Sequence, residues 1–171
     1  MLHNRAIGPA EPVKRQNGAT GAAPIRPTPN EVKMSPVPGK SCGACTMCCT
    51  ALEIVEFEKP PGARCVNCLA GGGCAIYAKR PSVCREFECL WLTERKLPAT
   101  MRPDRVGTIL MEDDESGEYR AVCEPHRPLA WRTPQVFAHL VAVAKTGRVV
   151  VAKAGLNAWR IFPSGEAAPT V

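Results

Sequence analysis

The chain has 171 residues, ten of them cysteine, with 45% hydrophobic but only 5% aromatic residues and a formal charge of +6. That is one domain's worth of material once a tail is set aside, and so many thiols beside so few large aromatics point to a metal or covalent staple. The positive charge counts every thiol as neutral, and the basic residues are scattered, without a lysine/arginine run or an aromatic stacking platform, so nucleic-acid binding is not expected. No apolar run is long enough to cross a membrane, and the first thirty residues hold no signal-peptide core. The expected compartment is the cytosol, where disulfides are disfavoured and paired cysteines read first as metal ligands or redox groups.

Residues 1–39 carry seven prolines and four glycines and are expected to form a disordered tail. Residues 40–171 are expected to form a single domain. Its first part, 40–92, holds the cysteine clusters, and 93–171 forms an α+β support. In the first part, "SCGACTMCCT" opens the cysteine-rich stretch, and "ALEIVEFEKPPG" is a short strand or an irregular apolar arm that Pro60–Pro61–Gly62 turns. "RCVNCLAGGGC" is a loop, whose glycines let the backbone pass close to the metal site. "YAKRPSVCREFECLWL" reads as a helix beginning at Pro81, with Phe87, Leu90 and Trp91 on one apolar face.

In the second part, "DRVGTILME" and "YRAVCE" are β-branched, alternating strands joined by the turn "DDESGE". "TPQVFAHLVAVAKTG" is the clearest helix: Thr133 caps it, Pro134 starts it and Gly147 ends it, with Phe137, Leu140, Val141 and Ala144 as its buried face. "RVVVAKAGLNAWRIFP" is a second hairpin turning near Gly155–Asn157. The β-β-α-β-β order predicts an α+β layer against which a metal-stapled cysteine-rich region packs.

Nine of the ten cysteines lie between residues 42 and 89. Cys42, Cys45 and Cys48 follow the C-x2-C-x2-C spacing of the first ligands in a bacterial ferredoxin run. Cys49 adjoins Cys48, and consecutive side chains diverge on a helix or a strand, so the two are expected to serve different metal atoms or different jobs. Cys65-x2-Cys68 has the spacing of a zinc knuckle. Cys74, Cys84 and Cys89 follow, and the last two approach from a second direction. An all-sulfur donor set means zinc or an iron–sulfur cluster. The crowded first motif leans towards iron–sulfur. Cys65/Cys68 with Cys84/Cys89 could supply a two-knuckle zinc site.

"CGACTMCC" followed by "GGCAIYAKRPSVCREFECLWL" resembles the CxxCxxCC cysteine-cluster family, the YkgJ-like zinc- or iron-chelating domain proteins. The resemblance covers about residues 41–92 and implies metal binding at Cys42, Cys45, Cys48 and Cys49, then at Cys74, Cys84 and Cys89. Cys65 and Cys68 rest on spacing alone. Flagellin lysine methylases are similar in the cluster motif but much longer, and their activity is not carried over. Within the same motif Arg80 and Arg85 either face the thiolates and stabilise them or make surface and capping contacts. Tyr77 and Phe87 are expected to pack.

Outside the motif, Cys123-x2-His126 has ligand-like spacing, but a buried cysteine beside an exposed histidine is the expected arrangement. His139 flanks the apolar stripe of its helix and is expected to be half-buried. "EDDESGE" lacks the glycine and terminal glutamate of a calcium loop and reads as a solvated turn. Three functional classes remain: a protein whose metal is structural or transfers electrons, a cluster-dependent modifying enzyme with a second substrate, and a module that stores or delivers metal.

Overall fold

The computed structural model describes residues 36–170, and these belong to one compact unit. The expected tail lies outside the described residues except for its last few positions. There the Val37 amide donates to the Leu92 carbonyl at 2.8 Å, and the Lys40 ammonium donates to the carbonyls of Glu94 and Leu97. The chain is thus already tied to the domain before its first cysteine.

The cysteine-rich part is built from very short elements. Helix α1 spans Met47–Ala51, α2 Ser82–Glu86 and α3 Leu90–Thr93, and a fourth short helix, α4 (Pro103–Val106), follows this part. The apolar arm after α1 is irregular: Ile54 bridges Lys59 around a single 3-10 turn, Val55–Phe57, closed by Glu58 in the left-handed region. The single helix expected from Pro81 onward is two helices. Phe87 and Cys89 are extended, with ψ of 122° and 152°, and the break between α2 and α3 turns the Phe87 and Cys89 side chains onto the core. The spacing of Phe87, Leu90 and Trp91 mimics a helix face, although all three reach the core by this interruption.

The second part carries the two expected hairpins and the helix between them. Strands β1 (Thr108–Glu112) and β2 (Tyr119–Cys123) pair antiparallel, with Ile109 opposite Val122 and Met111 opposite Arg120. Their connection is an Asx-type turn in which the Asp113 carboxylate accepts from the amide and hydroxyl of Ser116. Helix α5 (Pro134–Ala144) starts with proline at its first position after Thr133, as the fixed proline φ favours; Thr133, expected to cap it, makes no side-chain cap, because its hydroxyl donates back to the Ala130 carbonyl at 2.9 Å. Strands β3 (Val150–Ala154) and β4 (Asn157–Ile161) form the second hairpin.

The two hairpins join into one sheet because β3 lies parallel to β2, a pairing that needs a crossover, here α5. A further edge strand, β5 (Ala167–Pro169), extends the sheet to five strands in the order β1-β2-β3-β4-β5. The architecture is α+β with a mixed sheet.

Alternation along the strands gives the sheet two faces. One carries Leu110, Tyr119, Ala121, Val150, Ala152 and Trp159 and meets α5. Val136, Leu140 and Ala144 of the helix are buried there, while Phe137 and Val141, expected on its buried face, are half-buried at the margin. Trp131 sits at the centre, with Phe137 and Trp159 at ring centroids of 6.0 and 5.5 Å. Large side chains buried this completely contribute about 1.5–3 kcal/mol each by leaving water. The opposite face carries Ile109, Met111, Arg120, Val122 and Lys153, and it turns towards the cysteine-rich part. Helices α1 and α3 pack against β1.

Candidate functional site

Successive tight turns bring the thiols together. The Cys45 amide donates to the Cys42 carbonyl at 2.9 Å, and the chain then enters α1, which carries Cys48 and Cys49. The Cys65 amide donates to the Cys49 carbonyl at 2.8 Å, and the Cys68 amide returns to the Cys65 carbonyl at 3.0 Å. Cys68 and Cys74 pair as an isolated antiparallel bridge across the glycine loop. In that loop Gly72 has φ +96°, and a Cβ there would lie 2.8 Å from the Ala44 carbonyl oxygen. Only glycine permits so close an approach to the first cysteine loop. Cys84 sits on α2 and Cys89 immediately precedes α3.

Eight of the nine clustered cysteines, Cys42, Cys45, Cys48, Cys49, Cys65, Cys74, Cys84 and Cys89, line one cavity of about 620 Å³. Cys68 is half-buried and outside this lining, its thiol 3.9 Å from the Leu69 carbonyl oxygen. All ten cysteines are free thiols. Among the described residues no three cysteine, histidine, aspartate or glutamate side chains are close enough together to hold a metal ion. The donor set suits zinc or iron–sulfur in kind, and ligation requires the thiols to draw inward from their present spacing.

The thiols fall into two neighbourhoods, which touch where Cys42 feels Cys49. Cys89, buried on the core and pushed up to about 11 by that burial, feels Cys42 and Cys45. Burial also raises Cys42 and Cys45, and arginines partly oppose it. Cys49 is raised first by its hydrogen bond to Cys48 and then by burial. Cys68 and Cys84 are raised by burial, and both feel Cys49 and Cys65. Cys84 and Cys89, expected to complete a site from a second direction, both line the cavity, Cys84 feeling Cys49 and Cys65 and Cys89 feeling Cys42 and Cys45.

Three cations stand around these thiols. Arg80 and Arg102 both act on Cys42. Arg80 lies over the Tyr77 ring at 3.9 Å, so Tyr77, expected to pack, is instead an exposed platform for a guanidinium. Arg102 donates to the Cys42 carbonyl at 3.0 Å and pairs with Asp104 at 3.0 Å. Arg85 is exposed on α2, beside a smaller cavity of about 160 Å³ that Cys42 and Arg80 also line.

The third cation is Lys59, only 6% exposed. Its ammonium donates to the carbonyls of Leu52 and Pro60. Burial lowers its pKa, while the nearby Cys65, Cys49 and Cys48 oppose that shift. Neighbouring cations favour the thiolate form that binds metal. Neither Lys59 nor Arg102 stands out in the sequence, since nothing in a run such as "EFEKPPG" shows that its lysine is buried against thiols.

Cys123 is buried, with its sulfur 3.8 Å from the Thr108 hydroxyl, while His126 is exposed. His139 is half-buried and hydrogen-bonded through Nε2 to the Tyr119 hydroxyl at 2.7 Å, on the face of the sheet away from the cavity. No described helix is long and apolar enough to cross a membrane. Comparison with protein-family models, with curated proteins and with solved structures finds no match to this chain.

Proposed function

We propose that this chain is a metal-binding protein that holds an iron–sulfur cluster or zinc through Cys42, Cys45, Cys48, Cys49, Cys65, Cys68, Cys74, Cys84 and Cys89. The observation that carries this reading is the convergence of eight free thiols from loops well separated in sequence onto one cavity. A disulfide scaffold would pair such thiols, and a catalytic cysteine would need one thiol and a base rather than this number. The resemblance to YkgJ-like proteins points the same way. The proposed compartment is the cytosol, whose reducing poise keeps the thiols free.

Two neighbourhoods, one around Cys42, Cys45 and Cys89 and one around Cys49, Cys65, Cys68, Cys74 and Cys84, favour two metal sites or one cluster beside a zinc. The crowded first motif favours iron–sulfur there. Lys59, Arg80 and Arg102 offset the thiolate charge. The bound metal supplies folding energy to a region whose own elements are too short to be stable alone.

The test is anaerobic purification followed by iron, zinc and acid-labile sulfide analysis. Metal bound at about one or two sites per chain is expected. Cys45→Ser and Cys84→Ser should lower the content, and Cys123→Ala should leave it unchanged. A chain purified anaerobically without iron or zinc, and unable to take up either, overturns the reading.

A further inference from the structure

Only one wall of the cavity is made of cysteine. The other is the face of the sheet that α5 leaves uncovered. There Ile109, Val122 and Lys153 stand side by side across β1, β2 and β3, with Met111 beside Arg120 in the next row. About 620 Å³ falls within the roughly 300–1,000 Å³ range of pockets that enclose small organic molecules. Val122 and Met111 are half-buried and so present apolar surface to the space.

The charges on this wall are unequal. The Arg120 guanidinium is occupied by the carboxylates of Asp113 and Glu118. Lys153, half-buried at the cavity wall, makes no hydrogen bond or ion pair with the described residues. An apolar floor with an ammonium at its edge that has the Asp113 carboxylate only at a distance, and no direct partner, is complementary to an anion that carries a hydrocarbon body, because the ammonium rewards the head group and the floor rewards the chain.

We infer that the sheet-side half of the cavity binds a small organic carboxylate with an apolar body, its carboxylate on Lys153 and its body over Val122 and Met111, facing the thiol wall. This site is distinct from the metal ligands and goes beyond metal binding. It gives the chain a second ligand next to the thiols.

The probe is octanoate, with octanamide as its neutral counterpart, titrated by calorimetry into the full chain as purified anaerobically, with metal content measured on the same samples. Octanoate should saturate one site and bind at least about tenfold more tightly than octanamide, as expected for one charge-assisted contact. Lys153→Met should bring octanoate down to the octanamide affinity, Lys153→Arg should keep the preference, and neither should change metal content. Val122→Trp, which fills the floor, should weaken both probes. Circular dichroism confirms that each variant is folded.

No saturable octanoate binding, equal affinity for the two probes, or an undiminished preference in Lys153→Met overturns the inference. Octanoate binding with Lys153 dependence in a chain without metal upholds it while sinking the metal reading. Full metal content without octanoate binding does the reverse.

Discussion

The Cys65 amide donates to the Cys49 carbonyl at 2.8 Å, and this single backbone bond fixes the second thiol pair against the first motif. Cys49 is consequently the meeting point of the cysteine-rich part. It lies in the electrostatic field of Cys48 on its own helix and acts on Cys68 from the next loop, whereas Cys48, like Cys42 and Cys45, is partly buried against the hydrophobic core. Cys48→Ser and Cys49→Ser should therefore differ. The first should disturb ligation around Cys42, Cys45 and Cys89, and the second ligation around Cys65, Cys68, Cys74 and Cys84. Metal analysis and the visible spectrum of each variant check this: two zinc sites should lose about one metal each, since a structural site rarely tolerates a missing ligand. Identical, complete loss in both variants would mean that the neighbours serve one site.

Lys59 is expected to matter both for the fold and for the thiols. Lys59→Met keeps most of the side-chain volume but removes the donor to the Leu52 and Pro60 carbonyls, and unsatisfied buried acceptors cost about 1–3 kcal/mol. It also removes the cation beside Cys48, Cys49 and Cys65. The urea midpoint should fall, and a chelator should strip metal faster than from the parent chain. An unchanged midpoint would show that the ammonium is solvated rather than buried.

Legibility in the sequence follows how local each signal is. Helix α5 announces itself through Pro134 and Gly147, and the hairpins through β-branched alternation, because helix starts and stops and pleating act over a few neighbouring residues, although Thr133 does not cap the helix with its side chain. Strand β5 does not, since "AAP" has little strand propensity and is held by pairing with β4; proline is tolerated there because the strand is an edge. The thiol spacings mark the cysteine-rich part as a unit, but not which thiols share a neighbourhood. Cys84 and Cys89 stand on either side of a helix break that Pro81 and the Phe87/Leu90/Trp91 spacing conceal. The isolated charges of Lys59 and Lys153 acquire meaning only from what tertiary packing sets beside them.

His139 should make the fold acid-sensitive near neutrality. Burial holds its pKa below the ordinary histidine value, so around pH 6 the unfolded chain binds more protons than the folded one. Stability is then fully present above about pH 6.5, the unfolded value, and declines as pH falls through the lower folded value. Charged groups facing this region are Arg148, over the Tyr119 ring at 5.3 Å, with Glu94 and Glu112 near the Tyr119 hydroxyl. Glu94 is raised by burial, which has the opposite sign but acts nearer the carboxylate range. Urea midpoints measured between pH 7.5 and 5.5 should fall less for His139→Gln than for the parent chain. Parallel curves would show that the histidine titrates alike in both states.

The glycine loop offers the sharpest test of how the two cysteine loops pack. Gly72 combines φ +96° with a virtual Cβ 2.8 Å from the Ala44 carbonyl oxygen and 3.1 Å from the Ala44 Cβ. Alanine there meets both a left-handed backbone and a backbone oxygen that cannot move without carrying Cys42 or Cys45 with it. Gly71, one residue earlier, has nothing within 4 Å and no positive φ. Gly72→Ala should therefore destabilise the domain by about 1–3 kcal/mol, the usual range for a residue forced into such backbone, and should lower metal content by displacing the first motif from Cys68 and Cys74. Gly71→Ala should leave both unchanged. Urea denaturation and metal analysis on the pair separate a packing effect from a general loss of loop flexibility, because that loss would affect both variants. If Gly72→Ala behaves like Gly71→Ala, the glycine loop does not rest on the first cysteine loop, and the shared cavity loses one of its walls.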